Sequence, residues 1–466
     1  MEYVLLLITF FVYYLSLIFE FSWKISWFFL AITAIYIIVL YGVRALNNEI
    51  VYDKFLFMLG VFVFIIYEPF TIIFSDYGFP NINDLYITDD YTANMVGFIT
   101  IVYILSFYLG HFLVFLTSQK KFIITNNESN FRNKDDHVKG WLIVVYFILA
   151  ILPFFIFGSS NIIENFIFNL NARANGYVAF ATGGLGSQNP IISLLAQSIP
   201  ATIILLAIYM DRINIKKKFI VAIFMIFLLV LYISLGGRSG VVFVFMSIAL
   251  FWYIRREDKT IPIIKIVLLI SLTIGAITYQ INTRDTGKIN KIEKSGFTGF
   301  DLNREVTFIV QHYGLNENFL SANTTTKQIV LPLVETFYLF IVNPIPRLIW
   351  KNKPIDDSFG PYNKLRTGNT GFYHGSNITP TIEGRYYMKY GLIGVIEIGI
   401  LIGILWTLAN NMIKENIHQN KLKLIMPIAF VATLFSTTRD FAPGKFYPFL
   451  FIYLFYILNK TRIKDD

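Results

Sequence analysis

ANMVGFITIVYILSFYLGHFLVFLT, residues 93–117, runs for 25 positions without an Asp, Glu, Lys or Arg. Wound as an α-helix it would be about 37 Å long, more than the roughly 30 Å of hydrocarbon in a bilayer. A helix on the surface of a water-soluble domain would need a polar face, and this run has none. It is therefore read as a membrane span, and its neighbours follow the same pattern.

Twelve such runs are predicted, at about 3–19, 25–43, 54–75, 93–117, 141–158, 190–210, 219–236, 239–254, 266–282, 386–408, 424–437 and 446–459. Across all 466 residues, 55% are hydrophobic and 15% charged, with 47 Phe, 28 Tyr and no Cys. Ordinary globular chains are about one quarter charged, so one aqueous core could not hide this much apolar surface. The expected class is an all-α polytopic membrane protein of about 12 transmembrane helices, with residues 1–466 forming a single integral membrane domain. The missing cysteines exclude disulfide and thiolate chemistry. Residues 1–19 lack a basic start and a small-residue cleavage site, and are read as a retained first span.

Orientation follows from Lys and Arg in the connections. With both termini cytoplasmic, inside segments hold 21 of these residues and outside segments 18, of which 13 fall in the single connection 283–389. Long connections cross a membrane largely regardless of charge, so the short-loop comparison is 21 against 5 and favours this topology. Residues 283–389 then form a large extracytoplasmic loop carrying the candidate active-site residues, with 329–345 as an amphipathic or re-entrant helix.

Eight arginines fall on that outside face: Arg173, Arg238, Arg284, Arg304, Arg347, Arg366, Arg385 and Arg439. Guanidinium groups bind phosphate bidentately at any working pH, so a set of them suits a diphosphate headgroup. For one arginine alone, pairing with a nearby carboxylate or a lipid phosphate is the stronger reading; for the set it is not. Arg238 sits in Leu235-Gly236-Gly237-Arg238-Ser239-Gly240, between two spans with almost no loop, where glycines let a headgroup approach the backbone. Arg284 and Arg439 follow spans closely, each before an Asp that is its ordinary alternative partner, and Arg347 ends an apolar segment among three prolines. Diphosphate binding is assigned to Arg238, Arg284, Arg347 and Arg439.

Trp350, Tyr373, Tyr386 and Tyr387 are candidate sugar-stacking residues, with the interfacial aromatic belt as the alternative for Trp350. His374 and Glu383 are the candidate general bases, either able to take a proton from an acceptor hydroxyl. Neither a metal site nor a cofactor is expected: the outside loops hold no Asp-x-Asp or His-x-x-x-His, and the adjacent pairs Asp89-Asp90 and Asp356-Asp357 diverge. Glu68 and Glu397, within spans, are expected to face the bundle interior and to pair there, and Gly399-x-x-x-Gly403 is a close-packing face.

Three stretches resemble the Wzy-type O-antigen polymerase family of oligosaccharide repeat unit polymerases. Gly236-Gly237-Arg238-Ser239-Gly240 resembles its arginine turn opening a span. Pro346-Arg347-Leu348-Ile349-Trp350-Lys351-Asn352-Lys353-Pro354 resembles its Pro-Arg-x-x-Trp-x-x-Lys-Pro signature, and residues 380–394 resemble its last loop running into a span. One departure stands out: Arg385 and Lys389 occupy positions where members often carry an acidic residue and an Asn, so a role carried to Glu383 is offset by two positions.

The resemblance implies a bundle like the glycosyltransferase family C architecture with a large late periplasmic loop, in a bacterial cytoplasmic (inner) membrane. It implies a glycosyltransferase acting on undecaprenyl-diphosphate-linked oligosaccharides to build O-antigen or capsular polysaccharide, with membrane lipid and a chain-length regulator protein as further partners and no nucleic acid. The nearest alternative is an O-antigen ligase, which uses the same donor but another acceptor. An alternative of a different class is a lipid-linked oligosaccharide flippase, which would place basic residues along a cavity open to both sides.

Overall fold

The fold is that of a computed structural model. It describes residues 1–47, 49–80, 86–87, 89–118, 139–156, 163–164, 195–210, 213–234, 238–255, 271, 275, 306–307, 309–311, 338, 342, 350, 381–417, 421–438 and 443–460. The described elements are helices α1 (Glu2–Phe19), α2 (Trp23–Leu46), α3 (Tyr52–Val61), α4 (Tyr67–Ile72), α5 (Asp90–Ser118), α6 (Gly140–Ile156), α7 (Ser198–Met210), α8 (Ile215–Ser234), α9 (Arg238–Ile254), α10 (Ile382–Asn416), α11 (Lys421–Thr437) and α12 (Tyr447–Lys460). A π-helical turn, Phe62–Ile66, joins α3 to α4, which makes Tyr52–Ile72 one continuous run.

Eleven of the twelve predicted runs coincide with helices among the described residues; 266–282 lies outside them except at Ser271 and Gly275. Among the described residues, five helical runs are long and apolar enough to cross a membrane: Glu2–Phe19, Trp23–Leu46, Tyr52–Ile72, Asp90–Thr117 and Ile382–Asn416. Large apolar side chains stand exposed along whole helix faces, among them Val4, Leu7, Phe11 and Ile18 on α1 and Phe219, Ile223, Ile226 and Val230 on α8. In water such faces would be costly; against lipid tails they are not. The chain is a mostly helical, membrane-spanning protein. Its all-helical character is broken among the described residues by a two-stranded ribbon, β1 (Phe79–Pro80) with β2 (Tyr86–Ile87), antiparallel in the register Phe79 to Ile87.

Local chemistry sets the helix ends. Asp89 caps α5 by accepting from the Tyr91 amide at 3.1 Å and the Thr92 amide at 3.2 Å. Asp90, by contrast, accepts from the Trp23 amide at 2.9 Å, so the two adjacent carboxylates take different partners. Pro69 offers no amide to the carbonyl four residues back, at Ile65, which falls within the π-turn that absorbs the mismatch.

Long-range hydrogen bonds fix which helix ends lie together. At one end, Lys54 Nζ at the start of α3 donates to Glu2 Oε1 at the start of α1, 2.9 Å away. Asn410, late in α10, bonds both the Tyr52 amide and the Ile50 carbonyl, at 3.2 and 3.0 Å. The Tyr253 hydroxyl, at the end of α9, donates to Ala45 O at the end of α2 at 2.8 Å, and the Lys139 amide ahead of α6 donates to Asn459 at the end of α12 at 2.9 Å. This is the Glu2 end, and both the start of α1 and the end of α12 are on it. At the opposite, Asp90 end, Asn94 Nδ2 donates to Phe21 O at 2.7 Å and Lys24 Nζ to Ser75 O at 2.5 Å. It follows that Arg238, the first residue of α9, and Thr437, the last of α11, are both at the Asp90 end.

Lys54 is a charge enclosed at the start of α3. It lies buried in the first turn of α3, bonded to Glu2 and to the Tyr41 hydroxyl at 2.8 Å, with the Tyr3, Tyr41 and Tyr108 rings 5.0 to 5.5 Å from its ammonium. Beside it, Asp53 pairs with His111 of α5 at 3.2 Å. Removing one member of a buried pair strands the other, so Lys54→Met is expected to cost about 3–5 kcal/mol. Glu2→Gln combined with Lys54→Met should recover part of that loss, as read by thermal unfolding in detergent; equal stability of the single variant and wild type would refute the pairing.

The tightest helix contact is α5 against α10, which run parallel. A Cβ on Gly399 would lie 2.5 Å from Ser106 Cβ and 2.9 Å from the Tyr103 carbonyl oxygen. One turn on, a Cβ on Gly403 would collide with the Phe107 carbonyl oxygen, and one on Gly110 with that of Ile400. The predicted Gly399-x-x-x-Gly403 face thus packs inside the bundle, backbone against backbone.

Candidate active site

The Asp90 end of α10 carries the described part of the site. Thr381 caps the helix, its hydroxyl oxygen accepting from the Gly384 amide at 3.4 Å, and Glu383 follows in the first turn. Gly391, at φ 64° and ψ −154°, breaks the helix in a region of backbone space open essentially to glycine. The break folds the segment 382–390 back on the rest of α10: Tyr386 O is 2.7 Å from where a Gly394 Cβ would stand, whereas eight residues of straight helix would separate them by about 12 Å.

Because the segment is folded back, its side chains are enclosed. Glu383 is 0% exposed, and among the described residues neither carboxylate oxygen has a hydrogen-bond partner. Arg385, Tyr386 and Tyr387 are buried around it, and the Lys389 ammonium is 5.9 Å from the Tyr390 ring. A desolvated carboxylate without donors is expensive to keep unless another group completes its coordination.

The other sequence candidates divide by place. Arg238 opens α9, whose length packs on α11, while α11 packs in turn on α10. The end of α11 rests on α3, with Thr438 Cγ2 and Oγ1 each 3.1 Å from where a Gly60 Cβ would stand, two residues before the π-turn. Arg238 and Glu383 therefore stand on two helices that both pack on α11, and Thr438, the residue before Arg439, follows that shared helix. Trp350 is half-buried. Arg284, Arg347, Arg439, Tyr373 and His374 lie outside the described residues. Glu68 and Glu397 are both half-buried, and Glu397 Oε2 has no hydrogen-bond partner among the described residues.

Sequence reasoning missed Tyr103. It lies in the middle of α5, is 0% exposed, and has a hydroxyl without a partner among the described residues. A tyrosine inside the run 93–117 carries no signal of its own among the other aromatics of that span.

A many-helix membrane protein with an enclosed acid near one end of the bundle and an arginine opening a neighbouring helix at that end belongs, by its architecture, among integral membrane proteins with an intramembrane polar site. Residues 1–354 match the family described as O-antigen polysaccharide polymerase Wzy, and the chain belongs to that family. The matched range takes in Arg238, Arg284, Arg347 and Trp350 and ends at the last proline of the Pro-Arg-x-x-Trp-x-x-Lys-Pro stretch; Tyr373, His374, Glu383, Tyr386, Tyr387 and Arg439 follow it. No curated protein and no solved structure matches the chain.

Proposed function

We propose that the protein transfers a growing glycan from its undecaprenyl diphosphate carrier to the non-reducing sugar hydroxyl of a second lipid-linked repeat unit. The acceptor oxygen forms the new glycosidic bond, the bond to the carrier diphosphate breaks, and the acceptor proton passes to a base, Glu383 or His374. Membership of the polymerase family carries this reading and favours it over ligase and flippase. The enclosed Glu383, with both oxygens unpartnered among the described residues, favours it as the base.

Charge develops on the leaving diphosphate, and guanidinium groups placed in advance in a low-dielectric cleft stabilise it. Arg238, Arg284, Arg347 and Arg439 take that role, with Trp350, Tyr373, Tyr386 and Tyr387 against the sugars. The bundle has twelve spans in a family C-like arrangement, and the extracytoplasmic stretch 283–389 carries candidate site residues. The Glu2 end faces the cytoplasm: Arg44, Lys54, Lys139, Lys217, Lys218, Arg255, Lys414, Lys421, Lys423 and Lys460 cluster there among the described residues, against Lys24, Arg238, Arg385, Lys389 and Lys445 towards the other end. Lipid tails and a chain-length regulator complete the set of partners.

Arg238→Ala tests the diphosphate site. With purified protein and undecaprenyl-diphosphate-linked repeat units, bond formation should fall about 100-fold or more, the usual effect of losing one transition-state donor. Activity equal to wild type would remove Arg238 from the site.

A further inference from the structure

Between the end of α8 and the start of α9 the sequence has only Leu235, Gly236 and Gly237. Glycine places few limits on φ and ψ, so this connection does not by itself fix where α9 begins. Nor does the body of α8, which rests mainly on α7 and turns Phe219, Ile223, Ile226 and Val230 outward, whereas α9 packs on α7 and α11. A close contact beside the connection joins the two helices. Tyr232, two residues before the end of α8, is buried, and so is Gly240, the third residue of α9. A Cβ on Gly240 would collide with the Tyr232 hydroxyl and Cζ and would stand 2.5 Å from Cε1. The end of the ring fills the space that any other residue at 240 would need for its side chain. From sequence, the glycines around Arg238 make room for a headgroup; at Gly240 that room is taken by a phenol.

Gly240 and Arg238 share the first turn of α9, so what holds the backbone of one holds that of the other. Resting on the reading of Arg238 as a diphosphate ligand, we propose that Tyr232 is its positioning residue: the phenol, seated in the gap at Gly240, pins the first turn of α9 to the end of α8 and so fixes the point from which the guanidinium reaches the leaving diphosphate. The phenol neither gives nor takes a proton. A charge stabilises a transition state best when it is set in place beforehand, and a misplacement of about 1 Å can cost about a hundredfold in rate. A matched contact lies elsewhere in the bundle: a Cβ on Gly97 of α5 would collide with the ring and hydroxyl of Tyr13 on α1, and neither of those helices bears an arginine.

The test uses the full chain in bilayers with undecaprenyl-diphosphate-linked repeat units. Gly240→Ala should lower kcat about tenfold or more, with KM for the donor within a few fold of wild type, because the loss falls on the transition state. Combining it with Tyr232→Leu should recover most of the rate, since a leucine ends short of the added methyl. Added to Arg238→Ala, Gly240→Ala should cost nothing further, since it acts through that arginine. Gly97→Ala, which meets the same kind of obstruction, should lower the melting temperature and keep wild-type kcat in the folded protein.

Wild-type kcat in Gly240→Ala, no recovery on adding Tyr232→Leu, a full extra loss on top of Arg238→Ala, or an equal loss in Gly97→Ala would each overturn the proposal. Wild-type activity in Arg238→Ala would instead overturn the diphosphate assignment beneath it. Should Gly240→Ala fail to fold, Tyr232→Leu alone decides: a kcat about tenfold lower in folded protein would support the pin, and wild-type kcat would refute it.

Discussion

Glu383→Gln is expected to reduce glycosidic bond formation about a thousandfold, within the usual range for losing a general base. The substitution keeps shape and volume, and the carboxylate has no hydrogen-bond partner among the described residues to lose, so packing around the segment 382–390 should survive. What disappears is the ability to accept a proton. The measurement is the initial rate of polymer formation by purified protein, with thermal unfolding as the check on folding. A folded variant with a rate within a few fold of wild type would exclude Glu383 as the base and leave His374 to be tested in its place.

The second large effect is on the fold. Val at Gly403 or at Gly110 places a branched side chain where the α5 and α10 backbones already meet, and the obstructing atoms are the carbonyl oxygens of Phe107 and Ile400 rather than the flexible end of a side chain. Overpacking a rigid site costs about 1–3 kcal/mol or more, and neither helix can yield without moving the elements packed on it. Gly403→Val and Gly110→Val together are expected to abolish recovery of monodisperse protein from detergent, and Gly403→Ala alone to lower the melting temperature. Unchanged elution and melting in the double variant would show that the seam is not a structural constraint.

Much of the helical plan was readable in advance because lipid imposes one simple demand, a long run without charge. The run 93–117 lies within α5, Asp90–Ser118, and 25–43 lies within α2, Trp23–Leu46, the structure adding only the capped or charged turns at each end. The Gly399-x-x-x-Gly403 face was readable too, since small residues one turn apart in a span have few other uses. The Lys54–Glu2 pair was not legible, because the two residues lie 52 positions apart in sequence and nothing local announces them.

The site was less legible. Glu383 was singled out as a carboxylate ahead of a span, but its enclosure comes from the fold at Gly391, and Tyr390-Gly391-Leu392-Ile393-Gly394 reads as ordinary span sequence. Tyr103 was invisible for the opposite reason: it is one aromatic among many in an apolar helix, and nothing in the sequence marks its hydroxyl as buried without a partner among the described residues. Arg238 was visible because an arginine among glycines between two spans is chemically conspicuous, and it opens α9 at the end of the bundle where α11 finishes.

The most direct test is to incubate the purified protein in sealed vesicles with undecaprenyl-diphosphate-linked repeat units and weigh the lipid-linked products by mass spectrometry. The account predicts a ladder of products at integer multiples of the repeat, one undecaprenyl diphosphate released for each bond formed, and no ladder from Glu383→Gln. Single repeat units that change leaflet without growing, or a ladder undiminished in that variant, would contradict it.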